Sequence, residues 1–197
     1  MPERIGEVSR ITGETQVKVQ LKILGTGKFQ GVTGVPFFDH MLNLWTRHGL
    51  FDLAVTAQGD LEVDAHHTVE DIGITLGQAL DQALGERRAI NRYGTALIPM
   101  DEALMQVAVD ISGRPFLAYC VELPAHRVGD FDTELVEEFL RALSLHAGLT
   151  LHVRMLSGKN THHIIEALFK ALGRALREAC QLDPRTEGIP STKGTLV

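Results

Sequence analysis

The sequence lacks any hydrophobic run of about 18 residues, the length that a helix needs to cross a membrane. Its first ten residues, MPERIGEVSR, also lack the apolar segment of a secretory signal. We therefore expect a protein that does not insert into a membrane and is not exported, and we expect it in the cytoplasm. The 197 residues are enough for one substantial core or for two small lobes packed together.

Cysteine and positive charge are also scarce. Cys120 and Cys180 are the two cysteines of the chain, and they do not form a CxxC pair. They predict neither a disulfide framework nor a thiolate metal site, and they indicate a reducing compartment. Because 19 Lys and Arg residues stand against 25 Asp and Glu residues, the net charge is −6. A nucleic-acid partner would require a basic surface, so we expect none.

What the chain does have is a rare histidine pattern that occurs twice. Residues 64–71 (DAHHTVED) and 161–168 (THHIIEAL) both contain His-His-x-x-Glu, and His162 follows His66 at a shift of 96 residues. Further segments align at shifts of 96, 98 and 88, namely 76–84 with 172–180, 37–55 with 135–153, and 14–23 with 102–111. The chain is therefore predicted to be a duplication of a unit of roughly 90 residues.

Hydrophobic periodicity predicts the elements of each copy. In the first copy these are a strand at 17–23, a glycine-rich turn leading to a second strand near 25–31, a helix at 38–48, a strand at 51–57 and a helix at 66–84. In the second copy they are strands at 102–111 and 116–123, a helix at 133–147, a strand at 149–155 and a helix at 162–180. The predicted fold is α+β, with two β-β-α-β-α halves (1–90 and 91–185), two mixed sheets and the helices packed between them. A polar tail, 186–197, follows this single compact domain.

The duplicated motif suits a site for two metal ions. Within each motif a histidine and the glutamate lie about one turn apart on the same helix face, whereas adjacent histidines project about 100° apart. One ion does not readily bind both neighbours, but two ions can each take one histidine from each copy. Imidazole and carboxylate ligands without thiolate suit Mn, Fe, Zn or Ni. The candidate ligands are His66, His67, Glu70, His162, His163 and Glu166, together with His40 and its repeat equivalent Glu138, which we expect to face each other.

The ordered motifs of the chain resemble those of the imidazoleglycerol-phosphate dehydratase family. The resemblance covers nearly the whole chain and rests on FFDHML, GDLEVDAHHTVEDIG, NRYG, PMDEAL, SGRP, GKNTHHIIEALFKALGRALR and PSTKG. It implies a lyase of histidine biosynthesis that dehydrates D-erythro-imidazole glycerol phosphate to imidazole acetol phosphate through a metal-stabilised imidazolate and a diazafulvene-like intermediate. It also implies two Mn²⁺ ions per active site at the eight candidate ligands, although many members carry histidine at the position of Glu138. The family further implies a homo-oligomer of 24 subunits with active sites between them.

The resemblance also assigns roles that the residues alone do not reveal. It implies that Glu14 is the acid–base group, whereas the local sequence would make it an exposed glutamate at a strand edge. It implies a phosphate pocket formed by Arg92, Arg114, Lys170, Ser191 and Lys193, each of which would otherwise be read as a surface residue. The tail that carries PSTKG is expected to close over the substrate phosphate. Asp101 and Glu102, in PMDEAL, match a motif that lines the site and have no assigned role.

Two other functions share much of this residue set. A metal-dependent hydrolase of a small phosphate ester would use the same ligands and anion pocket. A metal-bound structural or storage assembly would use the paired motifs to join subunits, but it would have no use for Glu14 or for a phosphate pocket. The dehydratase remains the preferred hypothesis.

Overall fold

The alternating pattern that predicts the strand at 17–23 does form a strand, and its apolar side chains Val17, Val19 and Leu21 are fully buried. The computed structural model of the chain describes residues 3–196. Its elements in chain order are β1 (Ile5–Ile11), β2 (Thr15–Lys22), β3 (Lys28–Val32), α1 (Pro36–Gly49), β4 (Asp52–Gly59), α2 (His66–Leu84), β5 (Tyr93–Met100), β6 (Ala103–Asp110), β7 (Phe116–Cys120), β8 (Arg127–Val128), β9 (Phe131–Asp132), α3 (Leu135–Ala147), β10 (Thr150–Ser157) and α4 (Thr161–Cys180).

Two four-stranded sheets, one from each half of the chain, have equivalent strand orders. The first sheet is ordered β1-β2-β4-β3 and the second β5-β6-β10-β7. In both sheets the last strand named runs parallel to its neighbour, and the other pairs are antiparallel. The predicted α+β fold with two mixed sheets and an internal duplication is confirmed.

Each half begins with an edge strand that the hydrophobic pattern does not predict, so the unit is β-β-β-α-β-α. The strands β1 and β5 lie directly on a helix at a glycine. A Cβ atom added to Gly6 would lie 1.9 Å from the carbonyl oxygen of Ala79 in α2, and one added to Gly94 would lie 1.9 Å from that of Ala175 in α4. Because glycine stands where an apolar side chain would mark the buried face, the alternation is hidden. The predicted strand 116–123 is also shorter, since β7 ends at Cys120.

The four helices form two layers between the sheets. Helix α2 packs on β1, β2 and α3, while α4 packs on β5, β6 and α1. Phe38, Phe139 and Phe169 join these layers, with ring centroids 5.1 Å apart for Phe38 and Phe139 and 5.6 Å apart for Phe139 and Phe169. The predicted packing of the helices between the sheets is therefore confirmed. None of the helices in residues 3–196 has the length and apolarity needed to cross a membrane.

The tail contacts the body of the protein at two arginines. Arg92 donates to the carbonyl oxygen of Pro190 at 3.0 Å, and Arg87 donates to that of Leu196 at 3.1 Å. The Leu196 side chain is buried, although the PSTKG segment before it is polar and largely exposed. The tail thus has a defined course over the second half. The boundaries 1–90, 91–185 and 186–197 remain a prediction.

Candidate metal centre and substrate site

Helices α1 and α4 bring three potential metal ligands together. The Nε2 atom of His40 lies 2.8 Å from Oε1 of Glu166, and the Nε2 atom of His162 lies 3.2 Å from the same oxygen. The ligand atoms of the three residues lie within 4.8 Å of one another. Two imidazole nitrogens and a carboxylate oxygen at this separation fit a first-row divalent ion. The donor set therefore indicates a metal site.

Glu166 is ionised in this cluster although it is buried. Burial alone would raise the pKa of its carboxyl, but hydrogen bonds from Lys170, His40 and His162 outweigh burial and lower the pKa to about 2. The Nζ atom of Lys170 lies 2.7 Å from Oε2 of Glu166 and 3.3 Å from the sulfur of Met100. Lys170, expected to bind phosphate, thus balances the charge of a candidate metal ligand in this structure.

The start of each long helix fixes the position of its histidine pair. The side chain of Asn160 caps α4 and accepts from the backbone N–H groups of His162 at 2.9 Å and of His163 at 3.4 Å. At α2, Asp64 accepts from the backbone N–H of His66 at 2.7 Å. Both pairs therefore lie in the first turn of a helix, where their side chains are accessible beside the ends of the sheets.

The second histidine of each pair contacts a carboxylate outside its helix. The Nδ1 atom of His67 lies 2.9 Å from Oδ2 of Asp60, and the Nδ1 atom of His163 lies 2.8 Å from Oε2 of Glu102. These hydrogen bonds are the main cause that raises the pKa of each histidine. Glu14, the expected acid–base group, lies close by, with Oε2 3.8 Å from Nδ1 of His67.

The remaining candidate ligands are not gathered into a second cluster. Oε1 of Glu138 lies 3.8 Å from Nε of Arg141, and the His66 ring contacts the His67 ring edge-on at 6.1 Å. Glu70 lies half-buried on α2. Among residues 3–196, the cluster at Glu166 is the one group of three potential ligand residues that converges. His40 is paired with Glu166 rather than with Glu138, because α1 packs on α4 while α3 packs on α2.

Arg92 is the most constrained of the candidate phosphate ligands. Its guanidinium binds both carboxylate oxygens of Asp110, at 2.7 and 3.1 Å, and lies 4.7 Å from the centroid of the Tyr93 ring. Its backbone has a φ of 73°, which is uncommon for a residue other than glycine. Arg92 also contacts Pro190, which directly precedes Ser191 in the tail. The Oγ atom of Ser191 accepts from the backbone N–H of Lys193 at 3.2 Å. Arg114 and Lys193 have exposed side chains.

The contacts of Asp60 with His67 and of Glu102 with His163 were not predicted from the sequence. Asp60 has no acidic equivalent in the second copy, so the repeat gave no signal for it. Glu102 is the repeat equivalent of Glu14 at a shift of 88, and this relation was the available signal for its place beside a histidine.

Comparison with known proteins identifies the same family that the motifs suggest. A family model described as imidazoleglycerol-phosphate dehydratase matches residues 33–176. The imidazoleglycerol-phosphate dehydratase of Moorella thermoacetica is 62% identical over 189 residues, which cover 96% of this chain and 96% of that protein. The one from Acetivibrio thermocellus is 61% identical over 194 residues, which cover 98% of this chain and 100% of that protein.

Solved structures give the same result. The crystal structure of the dehydratase from Staphylococcus aureus has a TM-score of 0.83 and 45% identity, and the match covers 91% of this chain and 99% of that one. The crystal structure of the Pyrococcus furiosus protein has a TM-score of 0.83 and 40% identity, covering 96% and 100%. On these matches and on its duplicated fold, the chain belongs to the imidazoleglycerol-phosphate dehydratase family.

Proposed function

We propose that the chain is a lyase of histidine biosynthesis that removes water from imidazole glycerol phosphate and yields imidazole acetol phosphate. The observation that carries this function is the convergence of His40, His162 and Glu166 in a member of this family. A phosphate-ester hydrolase would share these residues, but the family match does not favour it.

The metal is proposed to be manganese, with two ions per active site. His40, His162 and Glu166 would hold one ion, and the other candidate ligands His66, His67, Glu70, Glu138 and His163 would complete the site. Bound ions would supply Lewis-acid stabilisation of charge at the substrate's imidazole ring. The pairing of imidazole with carboxylate in the Glu166 cluster supports a hard or borderline first-row ion.

Proton transfer is assigned to Glu14. The hydrogen that must leave the substrate is bound to a carbon beside the ring and is not acidified by a carbonyl group, so a positioned acid–base group is required. Glu14 lies in the turn between β1 and β2, and its side chain is 57% exposed. Within residues 3–196 its carboxylate accepts no hydrogen bond, which leaves both oxygens available to a substrate proton.

The phosphate is proposed to bind among Arg92, Arg114, Lys170, Ser191 and Lys193. Arg92 already contacts the tail, so a phosphate bound there would lie beside the tail hydroxyl and the tail lysine. The planar guanidinium suits two phosphate oxygens at once. The tail would then close over the phosphate and exclude water from the reacting centre.

The working enzyme is proposed to be a cytoplasmic homo-oligomer of 24 subunits. His66, Glu70 and Glu138 do not form a complete ligand set within one chain, and a neighbouring subunit is the proposed source of the missing ligands. Exposed apolar side chains, including Val32, Val63 and Phe116, are available for such contacts. The free thiols of Cys120 and Cys180 are consistent with a reducing cytoplasm.

The direct test measures the product formed from imidazole glycerol phosphate by the manganese-loaded protein. Formation of the ketone without release of inorganic phosphate is the expected result. Phosphate release without ketone would establish a hydrolase instead. Metal-dependent assembly with neither product would favour the structural or storage role.

A further inference from the structure

The duplication places an equivalent glutamate beside the second histidine of each motif. Glu14 lies between β1 and β2, near the start of α2, and Glu102 lies between β5 and β6, near the start of α4. The shift of 88 residues that relates the two strand pairs also relates these glutamates, and the shift of 96 relates His67 to His163. An unmodified duplication would give both glutamates the same contact.

Glu102 is fully engaged in the second half. Its Oε2 accepts from Nδ1 of His163 at 2.8 Å, and its Oε1 accepts from the backbone N–H groups of Asn160 at 2.7 Å and of Lys159 at 3.1 Å. The carboxylate therefore connects the histidine ring to the loop that leads into α4. These contacts leave Glu102 little freedom to take part in proton transfer.

Glu14 makes no comparable contact in the first half, because Asp60 takes its place. Oδ2 of Asp60 lies 2.9 Å from Nδ1 of His67, while Glu14 remains 3.8 Å from that nitrogen. The shift of 98 that relates β4 to β10 places Gly158 at the equivalent position in the second half, which has no side chain to replace Glu102. The two halves thus use different residues to bind the same histidine atom.

A carboxylate that accepts from Nδ1 selects one neutral tautomer of histidine. The proton stays on Nδ1, and the lone pair on Nε2 becomes available to a metal ion. Histidine ligands of metal ions in proteins are commonly oriented in this way by a carboxylate or carbonyl partner. Both His67 and His163 have the geometry for it.

We propose that Asp60 and Glu102 are positioning residues that direct Nε2 of His67 and His163 toward metal, and that Asp60 has released Glu14 for proton transfer by replacing it at His67. This inference rests on the proposed metal site and deepens it by assigning the residues that orient two of its ligands. It accounts for the presence of one acid–base glutamate where the duplication supplies two.

The first arm of the test reads the tautomer without metal. Solid-state NMR of the metal-free protein with ¹⁵N-labelled histidine is compared for wild type, Asp60→Ala and Glu102→Ala, with His67→Gln and His163→Gln to assign the signals. We expect Nδ1-protonated rings in wild type and loss of that preference at His67 or His163 in the matching alanine variant. Asp60→Asn keeps an acceptor oxygen and should restore it at His67. Glu102→Gln keeps one acceptor oxygen for the Lys159 and Asn160 amides and places its NH2 donor against Nδ1 of His163. It should therefore keep the loop folded while moving the His163 proton to Nε2, which separates orientation from loop folding.

The second arm measures manganese affinity by equilibrium dialysis. Asp60→Ala and Glu102→Ala should each weaken it by about 10- to 100-fold, the usual effect of losing an orienting partner. Glu62→Gln is a control that neutralises a neighbouring carboxylate and should leave it unchanged. Glu14→Gln should preserve both the tautomer and the affinity while lowering turnover.

The outcomes separate this inference from the proposed function. Wild-type rings protonated on Nε2, or unchanged manganese affinity in both alanine variants, would overturn the positioning role. Weakened affinity in Glu14→Gln to the level of Asp60→Ala would overturn the exchange of roles. Unchanged metal content in His67→Ala and His163→Ala would instead reject these histidines as ligands.

Discussion

Asp71 is buried and binds Arg10 and Thr15 through its two carboxylate oxygens. The second half of the chain has apolar residues at all three equivalent positions. Oδ1 of Asp71 accepts from Nε of Arg10 at 2.7 Å, and Oδ2 accepts from the hydroxyl of Thr15. The side chain of Asp71 is 8% exposed, while that of Arg10 is 37% exposed. The shifts that relate the two halves place Ile98, Ala103 and Ala167 at the equivalent positions, so the same packing exists in a polar and an apolar form.

Removing Asp71 alone should destabilise the protein. Loss of one member of a buried ion pair costs about 3–5 kcal/mol, but water partly solvates Arg10, so we expect Asp71→Ala to lower the free energy of unfolding by about 2–3 kcal/mol. Replacing Arg10 by Ile, Thr15 by Ala and Asp71 by Ala together removes every partner at once. This triple variant should lie within about 1 kcal/mol of wild type, because apolar replacement of a whole buried polar group is often neutral.

Urea unfolding at a fixed protein concentration measures both free energies, and the buried Trp45 supplies the fluorescence signal as the one tryptophan of the chain. A triple variant that is no more stable than Asp71→Ala would refute the equivalence of the two packings. A stable Asp71→Ala variant would show that the Arg10 contact contributes nothing measurable.

The remaining predictions concern the site. Glu14→Gln should lower turnover by about 10²-fold or more with unchanged assembly and metal content. Steady-state kinetics near those of wild type would show that Glu14 is a surface glutamate without a catalytic role. His67→Ala and His163→Ala should each lower bound manganese and abolish turnover, as read by elemental analysis and the ketone assay. Lys193→Met should raise the KM for substrate and weaken inhibition by inorganic phosphate, whereas unchanged phosphate inhibition would exclude the tail from the anion pocket. The pKa of Glu166 is lowered from 4.5 to about 2, so its contribution to stability is complete above about pH 4.5 and is lost as the pH falls toward 2. Acid unfolding of the metal-free protein should show this loss, and Glu166→Gln should remove that part of the pH dependence.

The sequence predicts the paired strands and the helices because their buried faces are continuous and apolar. Strand β2 and helix α4 are examples in which period and burial agree along the whole element. The edge strands β1 and β5 escape prediction for a physical reason, since their closest contact with a helix requires glycine at Gly6 and Gly94. A close backbone approach removes the side chain by which a pattern would reveal the strand.

The site is predictable to the extent that the duplication preserves it. His162 and Glu166 were expected as ligands from the repeat, and the structure places them together with His40. The partner of His40 was expected to be Glu138, but helix packing decides that contact and linear spacing does not. Asp60 has no acidic equivalent in the second copy that would reveal its contact. The contact between Lys170 and Glu166 was likewise not predicted from the sequence. Contacts between different helices and loops depend on the assembled fold, which short motifs do not encode.

The differences between the halves have a chemical reason within the proposed reaction. A duplicated scaffold supplies two similar sets of metal ligands, which suits two ions of the same kind. The substrate is not symmetric, because a phosphate lies at one end, a ring at the other, and a proton leaves from a single carbon. A site with two equally free glutamates would offer a second, misplaced acid–base group. The engagement of Glu102 by the Lys159 and Asn160 amides, and the occupation of His67 by Asp60, leave one glutamate available. The duplication therefore provides the proposed two-metal frame, and divergence at a few positions would make the proposed proton transfer one-sided.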